Sequence, residues 1–135
     1  MLEAHKLFAN CARLVVIVED LSANARVIGL RKSDIQRTVE SLLRAVDLHT
    51  EGRPGQFLYI RVAVVGDVFM ASVDYDRWLS DTGHGRVGSV TVWGIDILDV
   101  HGRDAVYVIG TLADITDAFL EKYLGANARA CEVRE

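Results

Sequence analysis

The fold class of this chain is decided by residues 57–79, which read FLYIRVAVVGDVFMASVDYDRWL. Residues 57–65 are apolar apart from Arg61, and residues 68–79 carry different side chains on their two alternating faces. Between them, Gly66 and Asp67 form a two-residue break of the kind that joins the strands of a hairpin. The stretch therefore predicts two adjacent antiparallel strands.

Two further strands are predicted on either side of this hairpin. Residues 14–18 (LVVIV) are a continuous aliphatic run, which favours a strand covered on both faces. Residues 89–100 alternate in character and form the fourth strand, in which Gly94 marks a bulge or a bend.

Two amphipathic helices complete the pattern. The first has Ser33 as its N-cap and Gln36 as the partner residue of a capping box. Its apolar stripe comprises Ile35, Val39, Leu42, Leu43 and Val46. The second begins between Asp104 and Thr111 and ends at Leu124, before Gly125. The order β-α-β-β-β-α predicts an α+β fold: a four-stranded mixed, mainly antiparallel sheet with two helices packed on one face.

Composition predicts one α+β domain over residues 1–135, with a loosely ordered leader (1–13) and tail (126–135). A net charge of -4 argues against nucleic-acid and anionic-membrane partners. No signal peptide is visible at the N-terminus, which favours a cytoplasmic location. Cys11 and Cys131 are either two free structural thiols, a disulfide joining the ends, or, for one of them, a catalytic thiol.

Two helices can cover only one face of four strands, so the second face must meet water, a partner chain or a ligand. Alternation assigns six side chains to this face, as ligand-binding or interface residues. They belong to the second, third and fourth predicted strands. They are Tyr59, Arg61, Asp74, Asp76, Trp78 and Trp93. Large aromatics mixed with a few charges are typical of an interaction surface, and edge strands also favour pairing across a homodimer. The alternative is that both tryptophans are core residues and the carboxylates are merely solvated.

Polar residues in the loops are weaker candidates for chemistry. Asp81 and His84 have the composition of an acid-base pair, although the glycines around His84 are equally typical of a turn. Asp99, His101 and Asp104 have donor atoms for a divalent metal, but Asp104 is equally suited to cap a helix. No nucleotide, zinc-protease or serine-hydrolase motif occurs, and no cofactor is predicted.

Three segments resemble a family of small uncharacterised bacterial proteins. They are VVIVEDLSANARVIGLRKSDIQRTVESLLRAV (15–46), FLYIRVAVV (57–65) and DAFLEKYLGAN (117–127). The shared features are a valine-rich strand followed by glutamate and leucine, a Gly-Leu pair before a helix, and a C-terminal helix with Phe, Tyr-Leu and Asn. The resemblance implies the same β-α-β-β-β-α pattern. Members of this family are often exported behind a signal peptide, and this chain departs from them in that respect. It implies no activity and no site residues.

The sequence thus favours a non-enzymatic interaction domain that self-associates through its sheet. Its partner is a second copy, another protein or a small molecule. The alternative is a small enzyme or ligand-binding protein with a pocket at the strand-end loops around Asp81, His84, Asp99 and His101.

Overall fold

The structure is a computed structural model, and it describes residues 7, 9–52, 55–81, 83 and 86–133. Within these residues the chain forms four strands and four helices. The strands are β1 (Val15–Val18), β2 (Gln56–Val65), β3 (Val68–Asp81) and β4 (Arg86–Val100), and the helices are α1 (Ala23–Val27), α2 (Lys32–Ala45), α3 (Ala105–Ala126) and α4 (Ala128–Val133).

The strands form one sheet in the order β1-β2-β3-β4. β1 and β2 are parallel and are connected through α1 and α2, whereas β2, β3 and β4 form an antiparallel meander. At the first hairpin Val65 pairs with Val68, and Gly66 has φ +58°, a conformation that glycine adopts without a steric penalty. The predicted α+β class and the mixed, mainly antiparallel sheet are confirmed.

The two long helices pack on one face of this sheet and enclose the core. α2 buries Ile35, Val39 and Leu43, which belong to the stripe that its sequence predicts. α3 lies across β3 and beside α2, and it buries Leu112 and Phe119 in the same core. Among the described residues, no helix lies on the other face of the sheet.

β1 differs from its predicted environment because only one of its faces is covered. Val16 and Val18 point into the core, whereas Ile17, on the opposite side, is 38% exposed. An unbroken aliphatic run is typical of a strand buried on both faces, and that prediction is wrong here. Val15 and Ile17, which point away from the core, therefore belong to the uncovered surface of the sheet.

The helix boundaries also shift from their predicted positions. α2 begins two residues earlier than expected, with Arg31 as its N-cap, so Ser33 lies inside the helix and the predicted capping box does not form. Gln36 instead donates to the carbonyl oxygen of Val16 (2.8 Å) and so fastens α2 to β1. α3 begins after Asp104, whose carboxylate accepts from the backbone N–H of Tyr107.

A β-bulge at Val92 decides which way the second tryptophan points. Tyr75 pairs with Trp93 and Asp76 pairs with Thr91, so Val92 is the extra residue on β4. Trp93 consequently lies on the helix side, where its ring centroid is 5.4 Å from that of Phe119. The prediction that Trp93 shares a face with Trp78 is wrong, because simple alternation does not survive the bulge.

The two ends of the described chain are fastened to each other. Cys11 and Cys131 form a disulfide, which is one of the three alternatives that the sequence leaves open. Beside it Asn127 is 1% exposed, and its Oδ1 accepts from the backbone N–H groups of Ala9 (2.7 Å) and Cys11 (3.3 Å). Its Nδ2 donates to the carbonyl oxygen of Leu7 (2.9 Å).

The segments predicted to be a loose leader and tail are packed where the structure describes them. Leu7 and Cys11 are buried in the core, and the tail forms α4. Residues 1–6, 8, 134 and 135 lie outside the described residues.

Candidate functional site

The uncovered side of the sheet, called the open face below, is the surface that the fold leaves available. The register of the strands assigns its residues. They are Val15 and Ile17 of β1, Phe57, Tyr59, Arg61, Ala63 and Val65 of β2, Val68, Met70, Ser72, Asp74, Asp76 and Trp78 of β3, and Ser89, Thr91, Gly94, Asp96, Leu98 and Val100 of β4. Along the strands this face divides into an apolar end, a polar band and an aromatic end.

The apolar end comprises two rows of side chains that lie next to one another. One row is Val65, Val68 and Val100, and the other is Ala63, Met70 and Leu98. Val65 is 75% exposed and Leu98 is 74% exposed. Exposed aliphatic side chains on three adjacent strands form a continuous patch, which is more informative than scattered single residues.

The polar band comprises Arg61, Ser72, Asp74, Asp76 and Asp96, and it crosses the middle of the sheet. The guanidinium of Arg61 lies 3.7 Å from a carboxylate oxygen of Asp74. Burial raises the pKa of Asp74, and the nearby carboxylates of Asp76 and Asp96 add to the rise, while Arg61 opposes it. The band therefore holds more negative charge than its one arginine balances.

Three buried polar atoms in this band have no hydrogen-bond partner. They are Nε of Arg61, Oγ of Ser72 and Oδ1 of Asp76, and they are the side-chain atoms of this kind among the described residues. Ser72 is fully buried although it lies on the open face. A buried polar group without a partner costs about 1–3 kcal/mol, so these three atoms make the polar band a locally unfavourable part of the sheet.

The aromatic end comprises Phe57, Tyr59 and Trp78. The indole of Trp78 is 49% exposed and covers Phe57, with ring centroids 5.5 Å apart. The Tyr59 hydroxyl donates to Glu19 (3.0 Å), and this hydrogen bond raises the pKa of Tyr59. A half-exposed indole backed by a second ring is typical of a binding anchor.

Five of the six side chains predicted for this surface lie together on it: Tyr59, Arg61, Asp74, Asp76 and Trp78. The sixth, Trp93, lies on the helix side. Alternation along the third predicted strand also places Ser72 on this surface. Sequence reasoning missed Leu98, because the extra residue at Val92 puts Thr91 and Leu98 on the same face.

The loop residues of the alternative prediction do not come together. Asp81 pairs with Arg86 at one end of the β3-β4 ladder, and Val68 pairs with Val100 at the other. Thirteen residues of extended strand separate Asp81 from Val68, on the order of 40 Å. His84 lies outside the described residues, and the side chain of Asp81 is not described. One pocket cannot hold both Asp81 and the residues that follow Val100.

The three weak metal candidates each have a structural partner. His101 accepts the Arg103 N–H at Nδ1 (2.8 Å), which leaves Nε2 protonated to donate to the carbonyl oxygen of Gly66 (2.7 Å). Asp99 accepts from the hydroxyl of Tyr107 and from a backbone N–H, and Asp104 caps α3. In the described part of the chain no group of three or more His, Cys, Asp or Glu residues is arranged to hold a metal ion.

None of the helices in the described residues combines the length and the apolar composition needed to cross a bilayer. No protein-family model and no curated protein matches the sequence. Among solved structures, a PelC dodecamer from Paraburkholderia phytofirmans is similar with 12% identity and a TM-score of 0.43, over 84% of this chain and 87% of that one. A minor lipoprotein from Acinetobacter baumannii is similar with 9% identity and a TM-score of 0.26, over 90% of this chain and 86% of that one. At these values neither likeness bears on the function of this chain.

Proposed function

We propose that this protein is a non-enzymatic interaction domain that forms a homodimer through the open face. The observation that carries the proposal is the continuous patch of exposed aliphatic side chains on the open face, which includes Val65 and Leu98. Covering this patch removes apolar area from water.

A second copy of the same face can place its one arginine beside a carboxylate of the first copy. In an isologous dimer, residue i contacts residue j and j contacts i. A two-fold axis parallel to the strands and between β2 and β3 places β2 of one copy over β3 of the other. Because Arg61 and Ser72 are register partners, each Arg61 then lies over Ser72 of the second copy, next to Asp74. The same axis stacks the two apolar ends on each other.

The size of the open face suits such a contact. Four strands about 4.8 Å apart and about 10 residues long at about 3.3 Å per residue give a surface on the order of 600 Å². Stable interfaces bury about 800 Å² of accessible surface per partner, so the open face supplies most of a standard interface.

The proposal is tested by molar mass in solution, measured by light scattering over a wide range of concentrations. Leu98→Arg places a charge in the apolar end, and Val27→Arg is its matched control, because both side chains are 74% exposed and Val27 is on α1. We expect the wild type and Val27→Arg to be dimers. Leu98→Arg should be a monomer whose circular dichroism spectrum is that of the wild type. A wild type that stays monomeric at millimolar concentration, or a dimer that Leu98→Arg leaves intact, overturns the proposal.

The disulfide supports a second inference, that the protein works in an oxidising compartment rather than in the cytoplasm. Structural disulfides persist in such compartments and are rare where thiols are kept reduced. The test is thiol titration under denaturing conditions of protein purified from its native source with alkylation at lysis. No free thiol is expected, and two alkylated thiols per chain favour the cytoplasm instead.

A further inference from the structure

A second surface of the molecule is a groove between α3 and β4, on the helix side of the sheet. Its volume is about 520 Å³. Its floor and walls include Ile97 of β4 and Tyr107 and Thr111 of α3, and its two carboxylates are Asp99 and Asp114. The groove exists because α3 lies across β3 rather than across β4, so Ile95 and Ile97 are only partly buried.

The groove runs along a sheet edge that is unpaired in the described residues. β4 is the last strand of the sheet order and pairs with β3 alone. It is 15 residues long and contains no proline and no lysine, two residues that commonly block an edge. From Gly94 to Val100 its pairing with β3 is regular, so this part of the edge offers a regular row of backbone donors and acceptors.

The charge of the groove is negative. Within the described part of the chain no lysine or arginine lines it, and α3 itself carries three carboxylates and one lysine. The Tyr107 hydroxyl and the Val100 N–H both donate to Asp99 and lower its pKa, so Asp99 is ionised at neutral pH. Tyr107 is 46% exposed and presents a ring on which a cationic side chain can pack.

Gly110 gives the groove its width. It lies in the interior of α3, where glycine costs about 1 kcal/mol relative to alanine. A Cβ at this position would meet no atom within 4 Å, so packing inside the protein does not require glycine here. Gly110 nevertheless lines the groove, where a larger side chain would occupy the space.

We propose that β4 and this groove bind an extended segment of a partner protein that carries lysine or arginine. The segment adds as a fifth strand along residues 94–100. One of its alternate side chains enters the groove, where the aliphatic stem packs on Ile97 and Tyr107 and the cationic group reaches Asp99 and Asp114. A second copy of β4 fits this edge less well, because the bulge at Val92 interrupts the middle of the strand.

The test uses a rhodamine-labelled peptide of alternating valine and lysine, ten residues long, and a control peptide with glutamate in place of lysine. Binding to the intact, disulfide-bonded protein is followed by fluorescence anisotropy. Two variants of α3 form a matched pair, Gly110→Leu in the groove and Gly125→Leu outside it, because both glycines have open space at Cβ. Asp114→Asn is a third variant, at an exposed position that does not threaten folding.

We expect the lysine peptide to bind and the glutamate peptide not to bind. Gly110→Leu and Asp114→Asn should each weaken binding about tenfold or more, which is the effect of losing one good contact, while Gly125→Leu changes it little. Amide signals of residues 94–100 should shift in nuclear magnetic resonance spectra. Equal binding of both peptides, equal effects of the two leucine variants, or shifts confined to the open face overturn the proposal.

The inference does not depend on the proposed dimer. Val65 lies on the open face, on β2, and belongs neither to the edge at residues 94–100 nor to the groove. Val65→Arg should therefore bind the lysine peptide as the wild type does, whatever it does to the molar mass.

Discussion

The carboxylate of Asp74 lies directly against the Cα atom of Gly94, its register partner on the neighbouring strand. A Cβ at residue 94 would overlap Oδ1 of Asp74, so a side chain there would force the carboxylate away from Arg61. Gly94 is thus a glycine for reasons of space, and it helps to hold the polar band in place.

Gly94→Ala should lower the free energy of unfolding by about 1–2 kcal/mol, because the added methyl overpacks the polar band. Gly88→Ala is the matched control, since it is also on β4 but has no atom within 4 Å of a Cβ. It should leave stability unchanged or raise it by up to about 1 kcal/mol. Urea unfolding of the two variants distinguishes them, and equal effects would contradict the account.

Asp74→Asn should make the protein more stable at pH 7. The pKa of Asp74 is raised in the fold, chiefly by burial, so the folded state binds its proton more tightly than the unfolded state does. The contribution of this group to stability is therefore fully present below the ordinary pKa of 3.8 and is lost as the pH rises through the higher folded pKa. The gain from asparagine should shrink as the pH approaches 3.8, when urea unfolding is measured from pH 7 to pH 4.

Asp99→Asn should change the stability at pH 7 in the direction opposite to Asp74→Asn. The hydrogen bond from Tyr107 lowers the pKa of Asp99, so its ionised form is favoured by folding, and asparagine should cost stability at pH 7. If both asparagine variants move stability in the same direction at pH 7, the assignment for Asp74 is wrong.

Cys131→Ser should lower the free energy of unfolding by about 2–5 kcal/mol, because the disulfide closes a loop of 120 residues and constrains the unfolded chain. Cys131 is the better position to change, because Cys11 is fully buried. The wild type in reducing agent should unfold at the same urea concentration as the variant without it. A clear difference between the two would show that serine has a further effect.

Asn127→Ala should cost about 2–4 kcal/mol, since it removes side-chain hydrogen bonds to the backbone groups of Leu7, Ala9 and Cys11. Asn24→Ala is the control, because Asn24 is exposed and donates one long hydrogen bond of 3.4 Å to Val64. Hydrogen exchange adds a local test: the amides of Ala9 and Cys11 should lose protection in Asn127→Ala before the amides of the sheet do.

The two tryptophans should respond differently to replacement by serine. Trp93 packs on Phe119 in the core, and Trp93→Ser should lower the free energy of unfolding by about 2–3 kcal/mol. Trp78 is half-exposed on the open face, and Trp78→Ser should cost about 1 kcal/mol while weakening the proposed dimer. Thermal unfolding of the two variants checks the order, and a reversed order would contradict the assignment of faces.

The fold followed from the sequence where periodicity is local. The apolar stripe of α2 and the two-residue break at Gly66 placed a helix and a hairpin that the structure confirms. The side of Trp93 did not follow, because Gly94 indicates only a bulge or a bend in this strand and does not show that the extra residue is Val92, on the near side of Trp93. The N-cap of α2 at Arg31 was missed because Ser33, two residues later, satisfies the usual capping pattern.

The open face was predictable from counting helices, but its internal order was not. Which row neighbours which depends on the register, and alternation alone does not give the register. The pairing of Cys11 with Cys131 was equally out of reach, because spacing along the chain carries no information on which thiols meet.

The disulfide turns residues 11–131 into a closed covalent ring whose ends are 5.1 Å apart at Cα. A pulling force applied to the chain outside this ring passes from one cysteine to the other and does not reach the sheet. A single proteolytic cut inside the ring, including one in the β3-β4 turn, leaves both fragments joined. The surfaces on β4 and on the open face are therefore presented by a domain that neither tension nor one nick can pull apart.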